Sequence, residues 1–310
     1  MRRSPCILAS CTGLLALAAV ARPAAADPIP AVEIFRCGET LDLPGTYVLI
    51  QDIGPCELDG IVIAAPDVRL ELAGHTISGR VAVDAPGCGS ADDQQLGVSI
   101  LEAASNARVS GGTVSGFTAG VLSNGPASRL TALRLHDNCA GNAILQGDGS
   151  SISRSDLRNG QGGVYVCADD VAVVANQASG HREHGIFVAC GDRSRIEQNI
   201  ADRNGPATLS TPGFGAGIEA NAGRGHVIQE NALLDNFFGI ILFRAVESVV
   251  RQNDADGNVV AGILAVIDAR DNSIVENTAR GNLVDALDES DCPVNRWTDN
   301  DFGTESGCID

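Results

Sequence analysis

One stretch of the chain gathers the residue types that move protons around an acidic sugar. His181, Arg182, Glu183 and His184 are contiguous; Tyr165, Asp169 and Asp170 precede them, and Asp192, Arg193 and Arg195 follow. Taking the C5 proton from a uronate needs a base with a near-neutral pKa, a cation to neutralise the adjacent carboxylate, and a proton donor. His184 as base, Arg193 as neutraliser and Tyr165 as donor would meet that requirement. A glycoside hydrolase would instead use carboxylates flanking the scissile bond, for which Asp169, Asp170 and Glu183 are the candidates. Adjacent strand residues point to opposite faces, which would set Asp169 and Asp170 apart. The plain structural alternative makes all of these solvated turn residues.

The elements that position them come from a repeat. A glycine followed by an aliphatic residue recurs at Gly97-Val98, Gly120-Val121, Gly163-Val164, Gly185-Ile186, Gly217-Ile218, Gly239-Ile240 and Gly262-Ile263. Most intervals are 22 or 23 residues, with Ala143-Ile144 as a degenerate copy. The interval from Gly185 to Gly217 is longer by an insertion at about 206–215. A constant short period means one unit stacked on itself. Within a copy, Ile186 and Val188 share a face by the period of two, as do Val164 and Val166. A second segment follows, such as Ser194-Arg195-Ile196-Glu197, and then an Asn. The Asn columns are 176, 199, 231, 253, 277, 300 and 204, 236, 258, 282. They read as hydrogen-bonded ladders at tight turns, with Asn in the left-handed conformation. Strand–turn coils of this kind predict an all-β, right-handed parallel β-helix. About ten coils at a strand spacing of ~4.8 Å would make a rod roughly 50 Å long.

Aligning the coils puts Tyr165, Phe187, Glu219, Ile241 and Leu264 in one outward column, and Cys167, Ala189, Asn221, Phe243 and Val266 in the next. So apolar an outward face needs cover. The insertion, with Phe214, would fold over it, or a second copy of the chain would associate through Ile241, Phe243, Leu264 and Val266.

Residues 1–26 read as a secretion signal. Arg2 and Arg3 are basic, Ile7 to Val20 is mostly apolar, and Ala24-Ala25-Ala26 suits cleavage. The remaining organisation is an N-terminal cap at 27–58, the β-helix at 59–290 and a C-terminal cap at 291–310. The expected location is secreted or periplasmic, with no membrane insertion. The eight cysteines beyond the signal are even in number, which in an exported chain reads as disulfides. Cys37–Cys56 and Cys292–Cys308 would close the two ends, Cys167 and Cys190 would meet on adjacent coils, and Cys88 with Cys139 remain.

The run Leu70-Glu71-Leu72-Ala73-Gly74-His75-Thr76-Ile77-Ser78-Gly79 and the ending Trp297-x-x-Asn300-x-Phe302-Gly303-Thr304 resemble secreted β-helix proteins of the pectin-lyase-like superfamily, of the carbohydrate-binding and sugar-hydrolysis repeat type. The resemblance covers roughly 37–308 and implies a polysaccharide or oligosaccharide partner. The group mixes lyases, epimerases, hydrolases and proteins without chemistry. His184-Gly185-Ile186-x-Val188 is similar to a coil of mannuronan epimerases that carries a catalytic His, although the Asp-Pro-His element of that family is missing. Asp169-Asp170 and Glu183-His184-Gly185 echo polygalacturonases, without the lysine of that pattern.

Composition limits these readings. The formal net charge is −18 at pH 7 and there is no lysine. Such a surface repels nucleic acid and anionic membranes. It also repels polyuronates, unless Ca²⁺ bridges them or they meet a locally Arg-rich site. No cofactor is required; Ca²⁺ on turns such as Asp299-Asn300-Asp301 or Asp254-Ala255-Asp256 is the one metal considered for the acids. One Trp and two Tyr argue against a sugar-stacking platform. The chief alternative is a non-catalytic binding or envelope-structural protein. The third is metal delivery, since a periplasmic copper-accessory protein shares the repeat. Copper favours Met and His, and the chain has one Met, the initiator, and five His.

Overall fold

The computed structural model describes residues 31–82, 94–206, 208–209, 214–292 and 294–309. The expected signal and Cys88 lie outside them. The described chain is all β, wound as a parallel solenoid in which each coil visits three faces. In one coil these are Gly162–Cys167, Ala172–Val174 and Gln177–Ser179; the next repeats them as Ile186–Cys190, Arg195–Glu197 and Ile200–Asp202. Stacking is parallel and in register, with Val164 opposite Ile186, Ala172 opposite Arg195 and Gln177 opposite Ile200. The first-face strands form a 12-stranded sheet.

The period-two reading holds. Val164, Val166, Ile186, Val188, Ile218, Ala220, Ile240, Leu242, Ile263 and Ala265 are all buried in the shared core. The degenerate copy lies one residue earlier than expected: Ala143, not Ile144, stands opposite Val121 and Val164, so Asn142 takes the glycine position and Ile144 pairs with Tyr165 in the outward column. The repeated glycine has a steric cause. A Cβ on Gly185 would lie 2.8 Å from the carbonyl oxygen of Gly217, and one on Gly217 would lie 3.0 Å from that of Gly239. Each coil approaches the next too closely there for any side chain.

The Asn columns are ladders, but the asparagines are not the left-handed residues. Positive φ falls on the residue before each one: Ala175, Gln198, Glu230, Gln252, Glu276 and Asp299. The Asn side chain turns inward and replaces backbone partners that the turn cannot supply. Asn231 Oδ1 accepts the Asn199 backbone N–H at 2.9 Å and its side-chain Nδ2–H at 3.0 Å. Asn231 Nδ2 donates to the Ile196 carbonyl and to Asn253 Oδ1, both at 2.9 Å. The second ladder ends on an acid, where Asp285 Oδ1 accepts Asn282 Nδ2–H at 2.8 Å; the first ends at Asn300, whose Nδ2 donates to the Ile274 carbonyl at 2.9 Å.

Disulfides join Cys37 to Cys56, Cys167 to Cys190 and Cys292 to Cys308, with Cα separations of 5.7, 4.5 and 5.3 Å. Cys139 is buried; its expected partner Cys88 lies outside the described residues. At both ends the chain already runs as coil: Gly45–Leu49 pairs with Val68–Glu71, and Arg296–Thr298 pairs with Ser273–Val275.

Candidate functional site

On the first face a groove of about 460 Å³ is lined by Gln146, Gln161, Tyr165, Glu183, His184 and Phe187, among others. The in-register column of the first face places Tyr165, Phe187 and Glu219 on successive coils. His184 enters from the turn just before Ile186–Cys190 and lies flat on Phe187, with ring centroids 4.7 Å apart. Phe187 meets Tyr165 edge-on at 5.5 Å. Phe214, at the end of the insertion, packs against His184 at 5.8 Å and Phe238 at 5.3 Å, and Phe237 follows at 5.0 Å. The low aromatic count argued against a stacking surface; the fold nonetheless brings five of the eleven aromatics, Tyr165, Phe187, Phe214, Phe237 and Phe238, into one strip with His184. Composition counts residues, whereas stacking in register decides where they meet.

The electrostatic centre is His184 with Glu219, a residue that sequence reasoning left among the packing positions. Its signal was available: it is the one acid in a column otherwise made of Tyr165, Phe187, Ile241 and Leu264. Both side chains are buried, and His184 Nδ1 lies 3.5 Å from Glu219 Oε2. Neither atom has a hydrogen-bond partner among the described residues. Burial drives His184 down to about 4 and Glu219 up to about 7, because each charged form is deprived of water. Near pH 7, His184 is therefore neutral and Glu219 sits at its titration point. Glu183 is exposed at the groove rim and accepts Gln161 Nε2–H at 2.9 Å.

The other candidates stand elsewhere. Arg193 follows the far end of Ile186–Cys190, a strand of five residues that extends about 16 Å. Its Nε donates to Asp170 at 2.8 Å and its Nη2 to Asp169 and Asp170 at 3.0 Å each. Those hydrogen bonds hold the Asp170 carboxyl below its usual range. Asp169 and Asp170 occupy a turn, with Asp170 at φ 57°, so they converge on Arg193 rather than pointing to opposite faces. The strand alternation assumed for them does not apply in a turn. His181 is a rung of an inner ladder: its Nδ1–H donates to Asn204 Oδ1 at 2.8 Å and its Nε2 accepts Asn142 Nδ2–H at 3.0 Å. His226 is likewise internal; its Nε2–H donates to the Ala222 carbonyl at 3.0 Å and its Nδ1 accepts the Ser194 N–H at 3.2 Å.

The second outward column needs one correction. A bulge between Val166 and Cys167 pairs Cys167 with Cys190, so Ala189 leaves the column. Asn221, Phe243 and Val266 remain in register. Of the four residues considered for self-association, Ile241 and Leu264 are already buried in a small cluster with Ala216 and Ala261, while Phe243 and Val266 are half-buried.

Among the described residues no three His, Cys, Asp or Glu side chains form a group able to hold a metal ion. In the acidic turns considered for Ca²⁺, Asp301 pairs with Arg280, Asp256 Oδ1 accepts the Arg280 N–H at 2.7 Å, and Asn300 Oδ1 accepts the Asn277 N–H at 2.9 Å. No described helix is long and apolar enough to cross a membrane.

Three solved structures share the fold. The Dettilon tailspike protein (gp208) matches with a TM-score of 0.63 at 14% identity, over 90% of this chain and 60% of that one. Tailspike protein 2 of bacteriophage CBA120 matches at 0.54 and 13%, over 81% and 38%. The periplasmic alginate epimerase AlgG matches at 0.50 and 11%, over 85% and 70%. The chain thus spans less than two thirds of either tailspike. No curated protein matches the sequence. Residues 99–305 match the family model described as periplasmic copper-binding protein (NosD). That match spans more than half of the sequence and falls on the coils described above, so the chain belongs to the NosD family of parallel β-helix proteins.

Proposed function

We propose that this is a polysaccharide-directed β-helix protein, that the groove beside Tyr165 and Phe187 takes a short run of sugars, and that His184 with Glu219 supplies its acid–base chemistry. The carrying observation is the buried His184–Glu219 pair, 3.5 Å apart with both facing atoms unpartnered. A buried polar atom without a partner costs about 1–3 kcal/mol, and perturbed buried pairs beside a cleft mark reactive sites. The surrounding chemistry suits a carbohydrate. Phe187 and Tyr165 offer apolar faces to a sugar ring, and Gln146 and Gln161 offer donors and acceptors to its hydroxyls. A ligand that closes the 3.5 Å gap would let Glu219 accept the Nδ1 proton and make the other ring nitrogen a better base. Tyr165 is then the candidate donor and Glu183 a rim contact for sugar hydroxyls. Arg193, held by Asp169 and Asp170, is assigned to clamping its turn. The matched structures include an alginate epimerase and tailspikes, one of the latter with an enzymatically active domain, which agrees with a glycan-directed role. Three disulfides suit an oxidising compartment, periplasmic or outside the cell.

The family description names copper. Among the described residues the donors do not fit a resident copper centre: no three His, Cys, Asp or Glu side chains group around one point, and His181 and His226 have both ring nitrogens engaged in internal hydrogen bonds. Six cysteines are paired. No step is assigned to the metal.

The test is a screen of neutral and uronic polysaccharides, with and without Ca²⁺, reading ultraviolet absorbance for unsaturated ends and new reducing ends together. Absorbance lost in both His184→Ala and Glu219→Gln identifies a lyase at this groove. Reducing ends without absorbance, lost in the same variants, identify a hydrolase. Turnover that survives both substitutions would remove the chemistry from this pair. Silence in both channels and in an NMR check for epimerised product leaves a binding protein.

A further inference from the structure

A different face carries a charge pattern that the groove does not explain. Arg69, Arg108 and Arg129 occupy the same position on three successive second-face strands, each directly opposite the next. Arg154, just beyond the next strand of that face, lines the same shallow trough of about 430 Å³. All four are exposed. Arg69 has only Glu71, at 4.0 Å. Among the described residues Arg108, Arg129 and Arg154 make no ion pair and no side-chain hydrogen bond. The arginines elsewhere on the coils are mostly clamped to acids, as Arg193, Arg203 and Arg224 are. Like charges directly opposite on neighbouring strands destabilise a sheet, so a column of three with a single acid at its edge, in a chain of net charge −18, marks a surface completed by an external anion.

We propose that this arginine column binds a linear acidic polysaccharide lying along the coil axis, at a site separate from the His184 groove. Successive guanidinium groups start one strand spacing apart, about 4.8 Å, and an extended uronan advances by close to that distance per sugar. One carboxylate can thus meet one arginine on each coil, with the bidentate geometry that guanidinium favours. The neighbouring column on that face holds Glu71, Ser110, Thr131 and Ser153; Glu71 faces Arg69 at one end, and the three hydroxyls beyond it suit sugar hydroxyls. None is aromatic, which disfavours single-stranded nucleic acid, whose non-specific sites stack bases on aromatic side chains. This is also the locally Arg-rich site through which a strongly negative protein can hold a polyanion.

The test is calorimetric titration of the full chain with oligogalacturonate at low ionic strength, against a neutral malto-oligosaccharide and single-stranded DNA. The variant is Arg108→Ser with Arg129→Ser, since Ser151 already occupies the next position of the same column. The wild type binds the oligouronate and not the neutral glycan. The double variant loses about tenfold or more, and its affinity depends less steeply on salt, by roughly one to two in the log–log slope. Its melting temperature does not fall, because a repulsion has been removed. Arg108→Lys with Arg129→Lys keeps part of the affinity, and Arg224→Ser, at an exposed arginine paired with Glu247 away from the column, keeps all of it. No wild-type binding, binding unchanged in the serine variant, an equal loss in Arg224→Ser, or DNA bound as tightly as the oligouronate would each overturn the proposal.

Discussion

Glu219→Gln separates the buried acid–base pair from every other feature of the coil through its pH dependence. The ordinary glutamate value is 4.5 and the folded value is about 7. The folded state therefore holds a proton on Glu219 that the unfolded state has released across that window. Its contribution is fully present below pH 4.5, declines as pH rises, and has become a penalty by pH 7 and above. At about 1.4 kcal/mol per pH unit, the change is about 3 kcal/mol. His184 has the opposite sign: its folded value near 4 lies below the ordinary 6.5, so stability falls as pH drops from 6.5 toward 4. In the wild type the two slopes nearly cancel between 4.5 and 6.5, giving a flat profile there. Glutamine cannot ionise and keeps the volume, so the variant retains only the His184 slope. Relative to wild type, Glu219→Gln should gain about 3 kcal/mol between pH 4.5 and 8, or roughly 5–10 °C in melting temperature for a chain of this size. Paired thermal melts across pH 4–8 measure it. Parallel curves for the two proteins would show that Glu219 is not held as an unpaired buried acid, and the site chemistry built on it would fall.

The remaining predictions concern the scaffold. Asn231→Ala strips the Asn199 N–H of its acceptor and leaves the Ile196 carbonyl without its Nδ2–H donor, a loss of about 3 kcal/mol; Asn231→Gly should cost as much, whereas Glu230→Gly should cost nothing, because Glu230 carries the positive φ. Equal tolerance of the two glycine variants in chemical denaturation would contradict that assignment. Gly163→Ala drives a methyl into the Gly185 carbonyl and to 3.0 Å from His181 Cε1, so melts should show at least the ~1–3 kcal/mol typical of overpacking. Replacing Cys167 and Cys190 by Ser opens a loop of sequence separation 23, with an expected loss of about 3 kcal/mol and no change in any activity of the His184 groove.

The amino-acid order by itself determined the coil, its inward faces, the Asn columns and the three disulfides described. In a parallel in-register stack, a fixed sequence interval becomes a fixed spatial neighbour, so Val164 meets Ile186 and Cys167 meets Cys190 almost by counting. The site was legible only in part. His184, Tyr165 and Glu183 share one groove, but His181, from the same contiguous run, is turned inward as a ladder rung, and Arg193 lies past the opposite end of a strand. Contiguity fixes order along the chain, while each turn decides whether a side chain points into the ladder or out to the groove. Glu219 fell beside Phe187 by glycine alignment, but alignment does not show that His184, in the turn before the strand, reaches across to it at 3.5 Å. The arginine column was hidden by an irregular interval: Arg69 and Arg108 stand opposite each other although 39 residues apart, a separation that is not the repeat period. Burial, and with it the opposed shifts of His184 and Glu219, is a property of packing among neighbouring coils, and only the tertiary structure sets it.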